Sequence, residues 1–373
     1  MLTPPPPFRA EHIGSLLRPL ELLRARDEHA AGRLDQEALT AMENIAIRRV
    51  VRLQEEVGLE VITDGEFRRG TYSDAFTSTG LSGVDVELTE SVGWTQSETH
   101  GHRMARRIPK IVDRIEWKGP RNADDFRFLR SLTRRTPKFT LPGPCYIHYR
   151  AGRRNISPDV YPSLDKFWSD LVAAYVREMH ALAEAGCSYL QIDETSLIKL
   201  GDPRVRDLLK ERGDDWRDLL RIYIGVVNAV VARAPDGMTI GIHICRSQDP
   251  SWQADVAYDA VARPLFNDMN VDIYFLEYDN ARAGTLVPLR WVPDGKFVVL
   301  GLVASNVDQV ETAEYLERRI AEASRYLKLE QLCLSPQCGF STSAAAHAPV
   351  TEEIEKAKLA RIVEVARTVW GTA

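Results

Sequence analysis

The sequence predicts a (β/α)8 TIM barrel with an insertion, containing a β-hairpin, after its second strand. Eight short runs of apolar and β-branched residues follow one another along the chain. Several are almost continuous in apolar residues, which is typical of parallel strands covered on both faces. Amphipathic helical stretches separate most of them, as in repeated strand–helix units with right-handed crossovers. Eight such units are the number that a TIM barrel requires.

The predicted strands extend over most of the sequence. They cover 11–15, 59–65, 138–143, 188–193, 238–245, 272–279, 297–304 and 332–339. The intervening helices with the clearest periodicity cover 38–58, 164–186, 214–234 and 310–327. Gly58 and Gly186 end two of these helices, at the position where glycine commonly forms the C-cap.

The regular spacing is interrupted once, between residues 80 and 137. This range opens with alternating polar and apolar residues, which indicate antiparallel strands, and it continues with a polar helical piece. We expect a hairpin there that leans on the mouth of the barrel. Because the sequence shows no internal repeat, residues 1–373 are otherwise predicted to form a single barrel domain.

The composition is that of a soluble globular protein, with 44% hydrophobic and 27% charged residues and a net charge of −5. No basic block suggests a nucleic-acid partner, and no apolar run suggests a membrane. Because the first residues lack the features of a signal peptide, we expect a cytoplasmic protein. The five scattered cysteines then indicate free thiols or metal ligands. A homo-oligomer is compatible with the sequence, which does not determine the oligomeric state.

Side chains that bind metals and polar substrates are concentrated where the predicted strands end. The carboxyl ends of the strands of a TIM barrel form one rim, and chemistry takes place there. The residues concerned are Asp64, Glu66, Asp193, Glu194, His243, Cys245, Glu277, Asp279 and Cys338. The sequence therefore predicts a functional site at this rim.

His243 and Cys245 stand two positions apart in the fifth predicted strand, so their side chains should share one face. A core histidine beside a buried cysteine would also explain this pair. Glu277 and Cys338 belong to two further strands, and the four residues form a candidate metal-ligand set. Two thiolates, an imidazole and a carboxylate suit Zn²⁺, because thiolates are too soft for Mg²⁺ or Ca²⁺.

Eight motifs carry a resemblance to a known family. They are HIGSLLRP (12–19), ITDGEFRR (62–69), LPGP (141–144), QIDET (191–195), GIHICR (241–246), FLEYD (275–279), LGLV (300–303) and SPQCG (335–339). In these motifs and in their order, the chain resembles the catalytic domain of cobalamin-independent methionine synthase, and more closely the short, single-barrel relatives of that enzyme. The similarity runs through nearly the whole chain.

The resemblance implies a zinc-dependent transfer of a methyl group to a thiol, with homocysteine as the acceptor and methionine as the product. It assigns the zinc ligands to His243, Cys245, Glu277 and Cys338. A zinc ion stabilises a bound thiol as the thiolate, which is the nucleophilic form. We expect Glu277 to be the ligand that moves aside, because a carboxylate oxygen holds zinc less firmly than a thiolate.

The resemblance also implies an acceptor site and its catalytic acids. Its residues are Ile13, Gly14, Ser15, Glu66 and Asp193. Backbone and hydroxyl groups at Gly14 and Ser15 would bind a carboxylate, while Glu66 and Asp193 would bind an ammonium group. Alternatively, Asp193 and Glu194 are structural acids that pair with nearby arginines.

The sequence departs from the family where the methyl donor is concerned. A tryptophan that stacks on the pterin is expected after the third strand, but Tyr146, His148 and Tyr149 stand there. Ser305 and Asn306 occupy the place of a proton-delivering histidine after the seventh strand. The chain also lacks room for the amino-terminal barrel of the full-length synthase. The donor is therefore open: a methylated folate, a corrinoid protein or another methylated compound.

Two further functions remain as alternatives. The first is an alkyl transferase or lyase that joins another thiol, such as coenzyme M, to an epoxide. Its sulfonate would need basic residues, for which the candidates are Arg68, Arg69, Arg150 and Arg246. The second is a non-catalytic zinc-binding barrel. An open rim with substrate acids argues against the second, because a structural zinc site needs no such acids.

Overall fold

The computed structural model describes residues 6–90, 105–246, 256–341 and 350–373. The strands are Val61–Ile62 (β1), Val84–Glu90 (β2), Ala105–Ile111 (β3), Thr136–Pro137 (β4), Phe139–Pro142 (β5), Tyr189–Glu194 (β6), Thr239–Ile244 (β7), Ile273–Glu277 (β8), Phe297–Val303 (β9) and Leu332–Pro336 (β10). The helices are Leu20–Ala30 (α1), Gln36–Val57 (α2), Arg121–Leu132 (α3), Tyr146–Ala151 (α4), Leu164–Glu184 (α5), Pro203–Glu211 (α6), Trp216–Val231 (α7), Ala262–Asp268 (α8), Ala313–Ala323 (α9) and Glu352–Trp370 (α10). None of these helices is both long and apolar enough to cross a membrane.

The strands form a parallel sheet in which neighbours in sequence are neighbours in space. β5 to β10 make one sheet in the order β10-β9-β8-β7-β6-β5, and every adjacent pair is parallel. β1 pairs in parallel with β4, which is separated from β5 by Lys138 alone. Seven of the eight predicted strands overlap an observed strand, whereas the predicted strand at 11–15 is irregular and follows a single bridge at Ala10. The fold is thus of the TIM-barrel class, as predicted.

The first segment of the chain continues the sheet beyond β10. Ala10 forms a parallel bridge with Leu334, and Glu11 N donates to Leu334 O at 2.8 Å. The motif HIGS is thereby placed at the same rim as the ends of the other strands.

The junction between the first segment and β1 is made without a regular ladder. The Thr63 hydroxyl donates to Gly14 O at 2.7 Å, and Leu16 N donates to Gly65 O at 3.1 Å. The His12 ring lies 3.3 Å from Val61 O. Gly14 and Gly65 have φ angles of 139° and 67°, which turn the chain out of strand geometry. Single backbone and side-chain hydrogen bonds therefore link the first segment to β1 and the residues that follow it.

The predicted hairpin is present after the second strand of the barrel. β2 and β3 are antiparallel, with Val84 opposite Ile111 and Glu90 opposite Ala105. The predicted tip of this hairpin, 91–104, lies outside the described residues. Within the range 80–137, α3 and β4 belong to the barrel, since β4 pairs with β1 and Asn122 of α3 donates to Glu178 of α5 at 2.9 Å.

Two apolar cores support the barrel. The larger lies between the sheet and the surrounding helices and contains Cys145 and Cys187. The smaller fills the amino-terminal end of the barrel interior and includes Phe8, Tyr189, Phe275, Val299 and Cys333. Buried aromatic and β-branched side chains thus close the lower end of the barrel, and the polar side chains collect above them.

Candidate active site

The four candidate metal ligands converge at the carboxyl ends of three strands of one sheet, β7, β8 and β10. His243 lies in β7 with Cys245 just after it, Glu277 ends β8, and Cys338 follows β10 by two residues. One ligand atom from each of these residues lies within 4.8 Å of the others. His243, Glu277 and Cys338 are buried, and Cys245 is partly buried. Among the described residues, these four form a group that could hold a metal ion.

Two distances between the candidate ligand atoms are close to those of a tetrahedral zinc site. The two thiol sulfurs are 4.0 Å apart, and His243 Nε2 is 3.4 Å from Glu277 Oε1. Zinc–sulfur bonds of about 2.3 Å give a tetrahedral S···S edge of about 3.8 Å, and zinc–nitrogen or zinc–oxygen bonds of about 2.0 Å give an edge of about 3.3 Å. Both pairs therefore lie within a few tenths of an ångström of the required geometry.

Asp193 faces the side of the His243 ring away from this group. Its Oδ1 is 3.4 Å from Nδ1, while Nε2 points towards Glu277 and lies 3.2 Å from Gln337 O. Burial lowers the pKa of His243, but hydrogen bonds to Asp193 and Glu277 outweigh it and raise that pKa well above its usual value. A carboxylate on the second ring nitrogen is the usual way to orient a histidine ligand.

Sequence reasoning assigned Asp193 to the acceptor site and missed this contact with His243. The signal was available, because parallel pairing in register places Asp193 of β6 opposite His243 of β7. Neither Asp193 nor Glu194 forms an ion pair with an arginine anywhere in the described parts of the chain. In those parts the structure gives no support to the alternative that these acids pair with arginines.

The two candidate thiol ligands share one hydrogen bond and differ in acidity. Donation from Cys338 lowers the pKa of Cys245, which the charge of His243 also favours. The same hydrogen bond, together with burial, raises the pKa of Cys338. A cation bound between the two sulfurs would favour the thiolate form of both.

Glu66 is held in a strained position beside this group. It is the one non-glycine residue with a positive φ, 62°, in the described parts of the chain. Its Oε1 accepts from the Thr140 hydroxyl at 2.7 Å and pairs with Arg69 at 3.1 Å, whereas its buried Oε2 has no hydrogen-bond partner among the described residues. Burial raises the pKa of Glu66. A left-handed residue costs about 1–2 kcal/mol, which indicates that the position of this carboxylate matters.

The predicted acceptor residues of the first segment lie between Glu66 and the loop of Cys338. A Cβ on Gly14 would be 2.7 Å from Thr140 Cγ2 and 3.4 Å from Glu66 Oε1. A Cβ on Gly339 would be 1.9 Å from Ser15 Oγ, so that loop packs directly on Ser15. Ile13 is buried beside them. The structure thus brings all five predicted acceptor residues to the rim that carries the candidate metal ligands.

A buried charged network below the rim was not foreseen. The Lys138 ammonium group donates to Glu11 Oε2 at 3.1 Å, to Gln191 Oε1 at 2.9 Å and to His12 O. Both side chains of the Lys138–Glu11 ion pair are fully buried. The Gln191 amide in turn donates to Asp193 Oδ1 at 2.7 Å. The interior of the barrel therefore fixes the Asp193 oxygen that faces His243.

Ser305, which stands where the family has a histidine, has a structural role. Its backbone N–H donates to the Gln337 side chain at 2.7 Å, and its hydroxyl donates to Gly339 O at 3.0 Å. It is completely buried. Ser305 therefore positions the backbone on both sides of Cys338, and its hydroxyl is already committed to a carbonyl.

Three of the four arginines proposed for a sulfonate are engaged in the fold. Arg68 pairs with Glu43 at 3.0 Å and Asp125 at 2.9 Å. Arg69 pairs with Glu66, as described above. Arg246 donates to Val256 O at 3.0 Å and Arg282 O at 2.6 Å. Arg150 differs, because it lines a cavity beside the hairpin.

The parallel barrel and its rim define a TIM-barrel protein with a candidate metal site. The chain belongs to the family described as the catalytic domain of cobalamin-independent synthase, which matches residues 8–368. This is a family of methionine synthase-like methyltransferases.

Individual relatives cover the chain almost completely. It is 37% identical over 368 residues to the uncharacterized protein YxjH of Bacillus subtilis, which covers 98% of this chain and 95% of that protein. It is 26% identical to the methionine synthase of Pyrococcus abyssi, with 96% of this chain and 91% of that protein covered. A solved structure from Listeria monocytogenes, assigned as a vitamin-B12 independent methionine synthase, has a TM-score of 0.75 at 31% identity and covers 99% of this chain and 100% of that one.

Proposed function

We propose that the protein is a zinc-dependent methyltransferase that makes a thioether from a thiol, with homocysteine as the acceptor and methionine as the product. The observation that carries the proposal is the position of two buried carboxylates, Glu66 and Asp193, next to a compact group of four possible metal ligands with two thiols. A structural zinc site would need no such carboxylates.

When bound by His243, Cys245, Glu277 and Cys338, zinc would keep the sulfur of the acceptor in its thiolate form at neutral pH. The chain itself supplies the binding of the remaining acceptor groups. Sulfur forms a bond to the methyl carbon, the bond from that carbon to the donor breaks, and the donor fragment keeps the electron pair. The thiol proton leaves to solvent when the acceptor binds.

The carboxylates of the site have charges that suit an amino acid. Both recorded contacts of Asp193 use Oδ1, which leaves Oδ2 for an ammonium group, and Glu66 offers its buried Oε2. In this proposal the carboxylate of the same molecule is bound by backbone and hydroxyl groups at Gly14 and Ser15. Two acidic groups at this place disfavour a sulfonate, so coenzyme M is the weaker candidate acceptor.

Metal and thiol binding test the proposal directly. We expect about one zinc ion per chain in protein purified without chelators, and little or none in Cys338→Ser. Cys187→Ser is the matched control, because its thiol is buried elsewhere and donates to Tyr189 O at 3.3 Å, a bond that a hydroxyl can replace. In the cobalt-substituted protein, homocysteine should change the thiolate-to-metal absorption, and coenzyme M should not.

Activity then distinguishes the donors. Purified protein is incubated with homocysteine and, in turn, methyltetrahydrofolate, a methylated corrinoid and simple methylated compounds, and methionine is measured by mass spectrometry. A zinc content that is equal in wild type and Cys338→Ser would contradict the proposal. The proposal would also be contradicted if the wild type contains zinc but homocysteine leaves the absorption of the cobalt-substituted protein unchanged.

A further inference from the structure

The outer side of α2 carries an exposed apolar residue in the middle of the helix. Ile45 is 63% exposed, and among the large apolar side chains of the described residues only Leu20, at 68%, is more exposed. Leu20 begins α1, and the carboxylate of the next residue, Glu21, lies 3.4 Å from the guanidinium of Arg49, one turn beyond Ile45. Single exposed apolar residues are common on protein surfaces, whereas two on one patch favour a contact surface.

Ile45 divides one exposed strip of α2 into an acidic and a basic half. The strip covers about 120° of the helix surface. We call it the α2 strip, and its members, all of them exposed, are Glu37, Ala41, Ile45, Arg48, Arg49 and Arg52. Glu37 lies about two turns before Ile45, and Arg52 lies about two turns after it. One face of the helix therefore carries opposite charges at its two ends, with an apolar residue between them.

The charges at the two ends of the α2 strip have no counter-charge within the described residues. Glu37 and Arg52 form no ion pair there, whereas Arg49 pairs with Glu352 at 2.7 Å. A groove of about 540 Å³ opens beside Arg52, between α2 and α10. Its charged lining residues are four bases and two acids: Arg48, Arg49, Arg52, Lys356, Glu56 and Glu352. The groove therefore has an excess of positive charge, which suits a carboxylate from outside the chain.

Two copies of α2 packed antiparallel, with Ile45 on a two-fold axis, would match along the whole α2 strip. Glu37 lies about 12 Å before Ile45 along the helix axis and Arg52 about 10.5 Å after it, so each Glu37 would meet Arg52 of the other copy. Ala41 lies about 6 Å before Ile45 and Arg49 about 6 Å after it, so the long side chain falls opposite the small one. A two-fold interface requires a self-complementary patch of this kind.

We propose that the α2 strip is an interface between two copies of this chain, related by a two-fold axis at Ile45. Ile45 and Leu20 of both copies form its apolar centre, which association removes from water. The two pairs of Glu37 with Arg52 of the other copy lie at its edges and fix the antiparallel orientation. The groove beside Arg52 receives Glu37 of the second copy. This interface lies on the outside of the barrel and does not depend on the proposed function.

The mass of the protein in solution tests the interface. We expect sedimentation equilibrium of the full chain at micromolar concentration to give a dimer. Ile45→Asp should give a monomer, because it places two like charges on the axis. Ile222→Asp is the matched control, since Ile222 is an exposed apolar residue of another helix, α7, and its replacement should leave the dimer intact. Far-ultraviolet circular dichroism should be the same for both variants and the wild type.

Charge reversal then tests the orientation of the two copies. Glu37→Arg and Arg52→Glu should each weaken dimerisation about tenfold or more, because each places two pairs of like charges across the axis. An equimolar mixture of these two variants should recover the dimer, since both pairs between unlike copies are then opposite in charge. The double variant Glu37→Arg with Arg52→Glu should also dimerise, for the same reason. Recovery on mixing cannot come from a general loss of folding in either variant.

Three results would overturn this inference. A wild type that stays monomeric at these concentrations would leave the α2 strip to solvent or to another kind of partner. A dimer that survives Ile45→Asp would show that the chain associates through a different surface. Single charge variants that stay monomeric when they are mixed would exclude the antiparallel arrangement. None of these results would affect the proposed function, which depends on the binding of zinc and homocysteine.

Discussion

The buried ion pair between Lys138 and Glu11 allows a quantitative test of the barrel interior. Lys138→Met removes the charge and keeps the length of the side chain, whose ammonium group lies 4.5 Å from the centre of the Phe275 ring. The change leaves Glu11 buried without a counter-charge, and it removes a donor from Gln191 Oε1. We expect a large loss of stability for this one substitution.

Breaking a buried ion pair by removing one partner typically costs about 3–5 kcal/mol. With an unfolding entropy of about 2.1 cal/mol/K per residue, the 373 residues give about 0.8 kcal/mol/K, so Tm should fall by about 5 °C.

Urea unfolding at pH 7 measures this effect. Glu11→Gln with Lys138→Met should return to within about 1–2 kcal/mol of the wild type, because no isolated charge remains. Lys356→Met is the control, since its pair with Glu56 at 2.8 Å is exposed and contributes at most about 1 kcal/mol.

The reasoning would be refuted by a Lys138→Met protein within 1 kcal/mol of the wild type at pH 7. It would also be refuted if the double variant were as unstable as the single one, because the loss would then come from packing and not from charge.

Three other predictions concern the rim and the pH dependence of stability. Asp193→Asn should weaken zinc binding about 10–100-fold in chelator competition, because it removes the carboxylate at His243 Nδ1. An unchanged zinc affinity would show that Asp193 does not orient His243 as a ligand. Gly339→Ala should destabilise the protein by about 1–3 kcal/mol and lower its zinc content, since the new Cβ would lie 1.9 Å from Ser15 Oγ. Adding Ser15→Ala should restore both the stability and the zinc content. A Gly339→Ala protein with a normal Tm would contradict the contact. Burial raises the pKa of Glu355 to about 8, so the unfolded chain releases this proton at lower pH than the folded chain does. The free energy of unfolding should therefore fall as the pH rises from about 4.5 to 8, by up to about 1.4 kcal/mol per pH unit. Glu355→Gln should lack this component of the slope in urea titrations at pH 5 to 8, and parallel curves for the two proteins would argue against it.

The sequence was sufficient for the strands and for the rim. The apolar runs around Leu190, Ile242 and Val299 are local patterns, and a strand buried on both faces needs no distant partner to be recognised. Once the strands are placed in a parallel barrel, their carboxyl ends must meet. The convergence of Glu66, Asp193 and the four candidate ligands was therefore predictable, although these residues are spread over more than 270 positions.

The sequence did not show how these side chains are oriented. Asp193 reaches His243 because β6 and β7 pair in register, and that register depends on the packing of both strands. Lys138 and Glu11 are 127 positions apart and are recognisable as partners only when the barrel is closed. The contribution of Ser305 to the loop of Cys338 is of the same kind, since its partners lie on a different strand end.

The difference between local and distant information explains what each level decided. Residue types at strand ends determined the chemistry available to this protein: thiols, an imidazole and carboxylates at one rim. The tertiary structure decided which oxygen faces which nitrogen and why Glu66 keeps a strained backbone. Hydrophobic periodicity is visible within a segment because it reflects the burial of that segment alone. Charge pairing depends on distances between segments, and only the folded barrel determines those distances.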